Sequence, residues 1–309
     1  MPQAILAAVQ EAIKGYQDPY LGTDLISAGA IDRLDVQSDQ VVLDVLLKYP
    51  SDYLKDGIAQ MLKVAIENVQ GIEHAQVSVA WQVESHKAHE NLQGIKNVKN
   101  IIAVASGKGG VGKSTTSVNL ALALAKDGAR VGVLDADIYG PSLGMLLGVP
   151  TDTRPETIEE KFFKPVMALG LQTMSMAYLV TENTPMVWRG PMVSGALQQL
   201  ITQTAWDDLD YLVIDMPPGT GDIQLTLSQK IPVSASVVVT TPQDIALLDA
   251  KKGIEMFNKV NIPVLGIIEN MSIHICGNCG HVEHIFGEGG AEKIVEEFNT
   301  ELLGSLPLS

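Results

Sequence analysis

"SGKGGVGKSTT", residues 106–116, decides how the rest of the chain is read. Gly107, four intervening residues and then Gly112-Lys113-Ser114 reproduce the Walker A spacing. Glycine is needed in such a loop because successive backbone N–H groups must turn inward onto phosphate oxygens. The apolar run "IIAVAS" precedes the loop as a strand. "KSTTSVNLALALAKDG" follows as a helix closed by Gly128, and its N-terminus adds a positive dipole end. Lys113 is expected to bridge the β- and γ-phosphates of a nucleotide, and Ser114 to hold Mg2+. A second lysine, Lys108, is one more than phosphate binding needs.

A phosphate loop also needs acidic partners for the metal and for water. "VGVLDADIYGPS" places Asp135 at one strand end and Asp137 just past it. "YLVIDMPPGTGD" places Asp215 at another after an apolar run, a Walker B pattern. Ligands of open parallel sheets bind outside the carboxyl ends of the strands, where these three carboxylates converge. Asp215 is expected to hold Mg2+, Asp135 to support the metal shell and Asp137 to orient the attacking water. An aspartate capping the next turn is the plainer reading of each one taken alone.

Short β-rich runs recur after Val98 at "IIAVAS", "RVGVLDAD", "LQTMSMAY", "YLVIDMP", "ASVVVTT" and "VLGIIEN", with helix-competent stretches between most of them. That alternation predicts an α/β class, a doubly wound, mostly parallel sheet covered on both faces. The front of the chain differs. A helix over Gln3–Ile13, two strands around a polar turn at Gln37–Gln40, a helix ending near Gly71 and the strand "HAQVSVAW" make a small α+β unit. The expected division is 1–85 for that unit, 86–97 for a polar linker and 98–309 for the nucleotide domain.

Acidic side chains outnumber basic ones 36 to 21, a net charge of −15, which argues against nucleic-acid partners. The N-terminus reads as an amphipathic helix and not a secretory signal, and no apolar run has the length of a membrane span. With two cysteines there is no disulfide framework, so a cytoplasmic setting without membrane partners is expected.

"KGGVGKST" resembles the deviant Walker A of the MinD/ParA/ArsA-like ATPases, whose extra lysine comes before the glycines. Taken with "DADIYGPS", "DMPPGTGD", "ENMS" and a CxxC segment, residues 98–309 resemble the Mrp/ApbC family of iron–sulfur cluster carrier ATPases. The front unit resembles the small iron–sulfur-assembly domain often fused to bacterial members. Here that domain's loop reads "DPYLGTDLISAGAI", with Tyr20 in the usual acidic place. The resemblance implies a homodimer with ATP and Mg2+ at its interface, in which Lys108 reaches the partner's nucleotide as a catalytic cation. Expected nucleotide contacts run through Gly107, Lys108, Gly109, Gly110, Val111 and Gly112 to Lys113, Ser114 and Thr115, with Asn270 of "ENM" hydrogen-bonding the adenine edge.

"HICGNCGHVEH" carries Cys276 and Cys279, with Gly277 and Gly280 leaving N–H groups to face sulfur. Two thiolates rarely satisfy a tetrahedral site, so completion must come from His274, His281 or His284, from a second chain or from a substrate. A two-fold interface pairs this loop with its own copy and gives four cysteines. The family resemblance implies the same arrangement, one [4Fe–4S] cluster bridging two chains and passed on to apo iron–sulfur proteins. Zinc and a redox disulfide are the alternatives on the residues alone.

Two other function classes compete. One is a MinD/ParA-like positioning ATPase, which calls for a basic tail or surface; the other is a zinc-bridged, nucleotide-dependent scaffold. "PMVWRGPMVSGALQQL" reads as core or as an interface that rearranges with nucleotide, Asp244 as a helix cap, and the final "LLGSLPLS" as a strand that the family normally follows with further residues.

Overall fold

In the computed structural model, residues 2–86, 92–179 and 190–308 are described. Two compact units divide the chain, Met1–Glu84 and Ser85–Ser309.

In the first unit, helix α1 (Pro2–Lys14) precedes strands β1 (Ile31–Gln37) and β2 (Gln40–Leu47), which pair antiparallel around the polar turn at Gln37–Gln40. Helix α2 (Lys55–Glu67) then leads to β3 (His74–Trp81), parallel to β2. Ile58, Leu62 and Ile66 recur every four residues on α2, so they form one stripe, buried with Leu43, Val45 and Leu47 of β2. Gly71 does not cap α2: the cap position is Asn68, and Gly71, at φ 96, shapes the turn into β3 instead. The "DPYLGTDLISAGAI" loop is held by its own aspartates. Buried Asp18 accepts the N–H groups of Tyr20 and Leu21 at 2.9 Å and the Tyr49 hydroxyl at 2.6 Å. Asp24 accepts the Ile26 and Ser27 N–H groups in the same way. Tyr20 itself is exposed, its hydroxyl 3.0 Å from that of Tyr53.

The second unit contains β4 (Val98–Ala105), α3 (Lys113–Lys126), β5 (Val131–Asp135), α4 (Leu143–Leu146), β6 (Val166–Ala168) and β7 (Leu171–Ser175). After these come α5 (Gly190–Gln203), β8 (Leu209–Asp215), α6 (Asp222–Lys230), β9 (Ala235–Thr240) and α7 (Asp244–Lys259). The last elements are β10 (Val264–Ile275), β11 (Val282–Glu283), α8 (Gly290–Phe298) and β12 (Leu302–Leu308). Among the described residues nine strands form one sheet in the order β6-β7-β5-β8-β4-β9-β10-β11, with β12 also on β10. Only β6 and β11 run antiparallel, so the expected mostly parallel, doubly wound sheet is what forms.

Consecutive residues of β8 show why the strands read as unbroken apolar runs. Leu212 and Ile214 face Leu197 of α5, Leu227 of α6 and Phe257 of α7, whereas Val213 faces Val118 and Ala121 of α3. Both faces are buried, and each such side chain removed from water contributes about 1.5–3 kcal/mol. The chain leaves β4 toward β5 and β7, returns to β8, and then continues on the other side through β9 and β10. This reversal opens a crevice at the carboxyl end of β4, where the phosphate loop begins.

The expected segment 185–200 falls partly outside the described residues; its remainder lies in α5, where Val193, Leu197 and Leu200 are core. Asp244 is the first residue of α7, whose cap position is Gln243; it is therefore not the cap the sequence suggested.

Candidate functional site

Helix α3 opens on Gly112 at φ 85, a left-handed conformation that glycine adopts without a steric cost, and no side chain caps it. Its first N–H groups therefore face the loop. Two close approaches fix the loop's glycines. A Cβ on Gly107 would overlap the backbone carbonyl of Asp249 in α7, and one on Gly112 would overlap the Asn270 amide. Ser106 ties the loop down by donating to the Lys108 carbonyl at 2.9 Å, and the Gly219 N–H donates to the Ser106 carbonyl at 2.9 Å.

Parallel registration places Asp215 level with Val104 of β4 and with Asp135 of β5. Asp215 is fully buried and collects three donors. The Lys113 ammonium lies 2.7 Å from Oδ1, Ser117 donates to Oδ1 at 2.7 Å, and Ser114 donates to Oδ2 at 2.6 Å. Lys113, Ser114 and Asp215 are thus brought together although Ser114 and Asp215 stand 101 positions apart in the sequence. Ser117 is a site residue the sequence reading missed. It lies three residues after Ser114, on the same face of α3, and helical spacing alone would have found it.

Asp135 accepts backbone N–H groups from Asp137, Ser142 and Leu143 at 3.0–3.1 Å. Burial, and after it the neighbouring Asp215 charge, push its carboxyl up to about 7; the N–H donors and Lys113 pull the other way. Asp137, half-buried on the next loop, accepts the Gly140 N–H at 3.2 Å. The oxygen donors of Ser114, Asp215 and Asp135 are hard ligands of the kind Mg2+ takes, so the donor set fits that ion.

Lys108 is exposed, and no acidic side chain among the described residues forms an ion pair with it. Thr115 is exposed in the first turn of α3. Asn270 points its amide at the loop, donating to the Val111 carbonyl at 2.9 Å. A cavity of about 550 Å³ opens beside it, lined by Gly112, Thr115, Asn270, Met271, Leu306 and Pro307 among others.

Strand β10 ends one residue before Cys276, and β11 returns beside it with His274 opposite Glu283. The turn between them is closed by the Cys276 N–H on the His281 carbonyl and the Gly280 N–H on the Cys276 carbonyl, both at 2.9 Å. Gly280 thus spends its N–H on a carbonyl and not on sulfur. The N–H groups of Asn278 and then Cys279 donate to the Cys276 sulfur and, with the Cys279 thiol and His274, lower its thiol below the usual value against a small opposing effect of burial. Cys279 is exposed and Cys276 half-buried. His274 is engaged by Glu283 at 3.0 Å and His284 by Glu288 at 3.7 Å. Among the described residues, no group of three or more His, Cys, Asp or Glu side chains gathers around a metal position.

Residues 97–309 match the family described as NUBPL iron-transfer P-loop NTPase, and residues 6–79 match the iron-sulfur cluster assembly protein family. The chain is 66% identical over 249 residues to an iron-sulfur cluster carrier protein of Pseudomonas fragi, covering 81% of this chain and 87% of the relative. It is 51% identical over 307 residues to the iron-sulfur cluster carrier protein of Escherichia coli K12, covering 99% and 83%. This chain belongs to the iron–sulfur cluster carrier family of P-loop NTPases. The resemblance carried by "KGGVGKST" and the CxxC segment is borne out. Among solved structures, a nucleotide-binding protein from Archaeoglobus fulgidus in complex with ADP is 37% identical, with a TM-score of 0.61, covering 69% of this carrier-family chain and 83% of its own. No helix among the described residues is long and apolar enough to cross a membrane.

Proposed function

We propose that the protein hydrolyses ATP and carries a [4Fe–4S] cluster between two copies of itself, delivering it to apo iron–sulfur proteins in the cytoplasm. The observation that carries the reading is the pairing of two features on one sheet edge. The Lys113–Ser114–Asp215 cluster lies at the carboxyl ends of β4 and β8, and Cys276 follows the carboxyl end of β10, two strands away. The chain has two cysteines in all, and a cluster wants four thiolates, so a two-fold partner supplies the other pair. Support for a contact surface comes from exposed apolar side chains on elements that leave the same edge. Tyr139 and Met145 follow β5, while Ile245 and Leu248 open α7.

In this reading the loop N–H groups and Lys113 bind the phosphates, and Asn270 with the adjoining cavity receives the adenine. Ser114 and Asp215 would hold Mg2+, with Asp135 behind them, and the ion neutralises charge on the β- and γ-phosphates. Asp137 orients the water. Lys108 crosses to the partner's nucleotide and stabilises the charge that develops on the transferred phosphoryl group. A cluster held by two thiolates from each chain is released when the interface changes, which suits a carrier.

Steady-state ATP turnover tests the catalytic half. Lys108→Ala is expected to lose about 10³-fold, the scale of a finger residue supplied in trans. Lys113→Ala is expected to lose turnover together with nucleotide binding, measured by titration. Undiminished turnover in Lys108→Ala would remove the trans lysine from the mechanism.

A further inference from the structure

One strand touches both halves of the proposed machinery. Up to Glu269, β10 is fixed on both flanks. Thr240 of β9 pairs with Glu269, whose buried carboxylate accepts the Ala291 N–H at the start of α8 at 3.1 Å. The ladder with β12, already shifted by one residue between Ile267 and Ile268, then breaks over a longer stretch. Glu269 pairs with Ser305 and Ile273 with Pro307, so four steps along β10 face two along β12. The surplus is taken up at Asn270–Ser272, where Met271 adopts φ 56, a left-handed conformation that an unbranched side chain tolerates only at a cost. Past this bulge the strand exchanges one neighbour: its pairing with β9 ends at Glu269, Ile273 and His274 stay on β12, and His274 and Ile275 gain β11. Cys276 follows directly.

The bulge is also part of the nucleotide site. Asn270 bonds the Val111 carbonyl of the phosphate loop and packs against Gly112, and both Asn270 and Met271 line the 550 Å³ cavity. Leu306 to Leu308, which also line it, include the residues of β12 that pair with Ile273 and His274. A ligand in that cavity therefore presses on a bulge residue and on the partner strand of the cysteine arm at once.

We propose that the Asn270–Met271 bulge is a hinge through which nucleotide occupancy repositions the Cys276–Cys279 turn, with Asn270 as the positioning residue. This rests on the reading that the phosphate loop takes ATP and that the cysteines hold the cargo. Bulges shift by small, discrete backbone changes, and the cysteine arm beyond this one is short and tied to β12, so a change at Met271 is carried to the sulfurs.

The test uses the full-length, metal-free chain, so that it does not depend on cluster loading. Alkylation rates of Cys276 and Cys279 are followed by mass spectrometry without nucleotide and with MgATP at saturation, established by titration for each protein. In the unaltered chain saturation is expected to change the rates by about fivefold or more, the lower end of ordinary coupling between two sites. Asn270→Ala, saturated at whatever MgATP concentration it needs, is expected to show no such change. Met271→Gly takes the same left-handed backbone without strain, so it keeps the fold, and it is expected to weaken the response because the hinge is no longer stiff. Thiol rates that ignore saturating MgATP in the unaltered chain overturn the hinge, as does a full response in both variants. Iron and sulfide content after anaerobic reconstitution tests the cargo reading separately.

Discussion

Asp215 and Asp135 are both buried carboxylates at the ends of adjacent strands, yet their surroundings differ in kind. Asp215 has a full ammonium charge and two hydroxyls as partners, so its charge is compensated. Asp135 has backbone N–H groups and a long 3.4 Å bond from the Ser175 hydroxyl as near partners, no ion pair of its own among the described residues, and feels Asp215 as a like charge. Its folded-state value, about 7, lies above the unfolded one, so between roughly pH 4 and 7 the folded chain binds the extra proton. Stability contributed by this group is therefore present at low pH, declines as pH rises toward 7 and is level above it. In the metal-free, nucleotide-free protein, Asp135→Asn is expected to lose that slope, so its stability relative to the unaltered chain improves from pH 5 to pH 7.5. Urea midpoints across this range check it; parallel profiles for the two proteins would contradict it. The identities of Lys113, Ser114, Asp135 and Asp215 stand out from motif spacing. The bonds among them do not, because Ser117 and the Asn270–Val111 contact arise from packing, the latter across 159 residues.

At the scale of elements, the phosphate loop is shaped as much by helix α7 as by its own glycines. Gly107 lies against the Asp249 backbone with no room for a Cβ. Gly107→Ala is thus expected to force α7 from the end of β4 and to cost about 1–3 kcal/mol in denaturant unfolding, the usual range for overpacking. Gly109→Ala, where the added Cβ meets only the edge of Pro218 at 4.0 Å, serves as the comparison and is expected to cost less. Equal losses at the two positions would contradict the α7 contact. The central strands were legible because a strand buried on both faces is a continuous apolar run. The edge strands β6 and β11 escaped notice: with three and two residues, they are defined by hydrogen bonds to a neighbour and not by composition. The starts and ends of helices were the other weak point. Asn68 and Gln243 occupy the cap positions without the side-chain bonds that make a cap recognisable in sequence.

For the whole molecule, the two-cysteine count and the exposed Lys108 point to the same unit of function, a pair of chains. The phosphate loop and the cysteine turn follow the carboxyl ends of strands of one sheet, and in the proposed reading a partner related by a two-fold axis there completes both. This leaves the nature of the cargo as the central claim, and iron and acid-labile sulfide analysis with an absorbance spectrum, after anaerobic reconstitution, tests it most directly. The expected result is a brown dimer with roughly four irons and four sulfides, lost in Cys276→Ala. A colourless protein carrying stoichiometric zinc on the same two cysteines would contradict it.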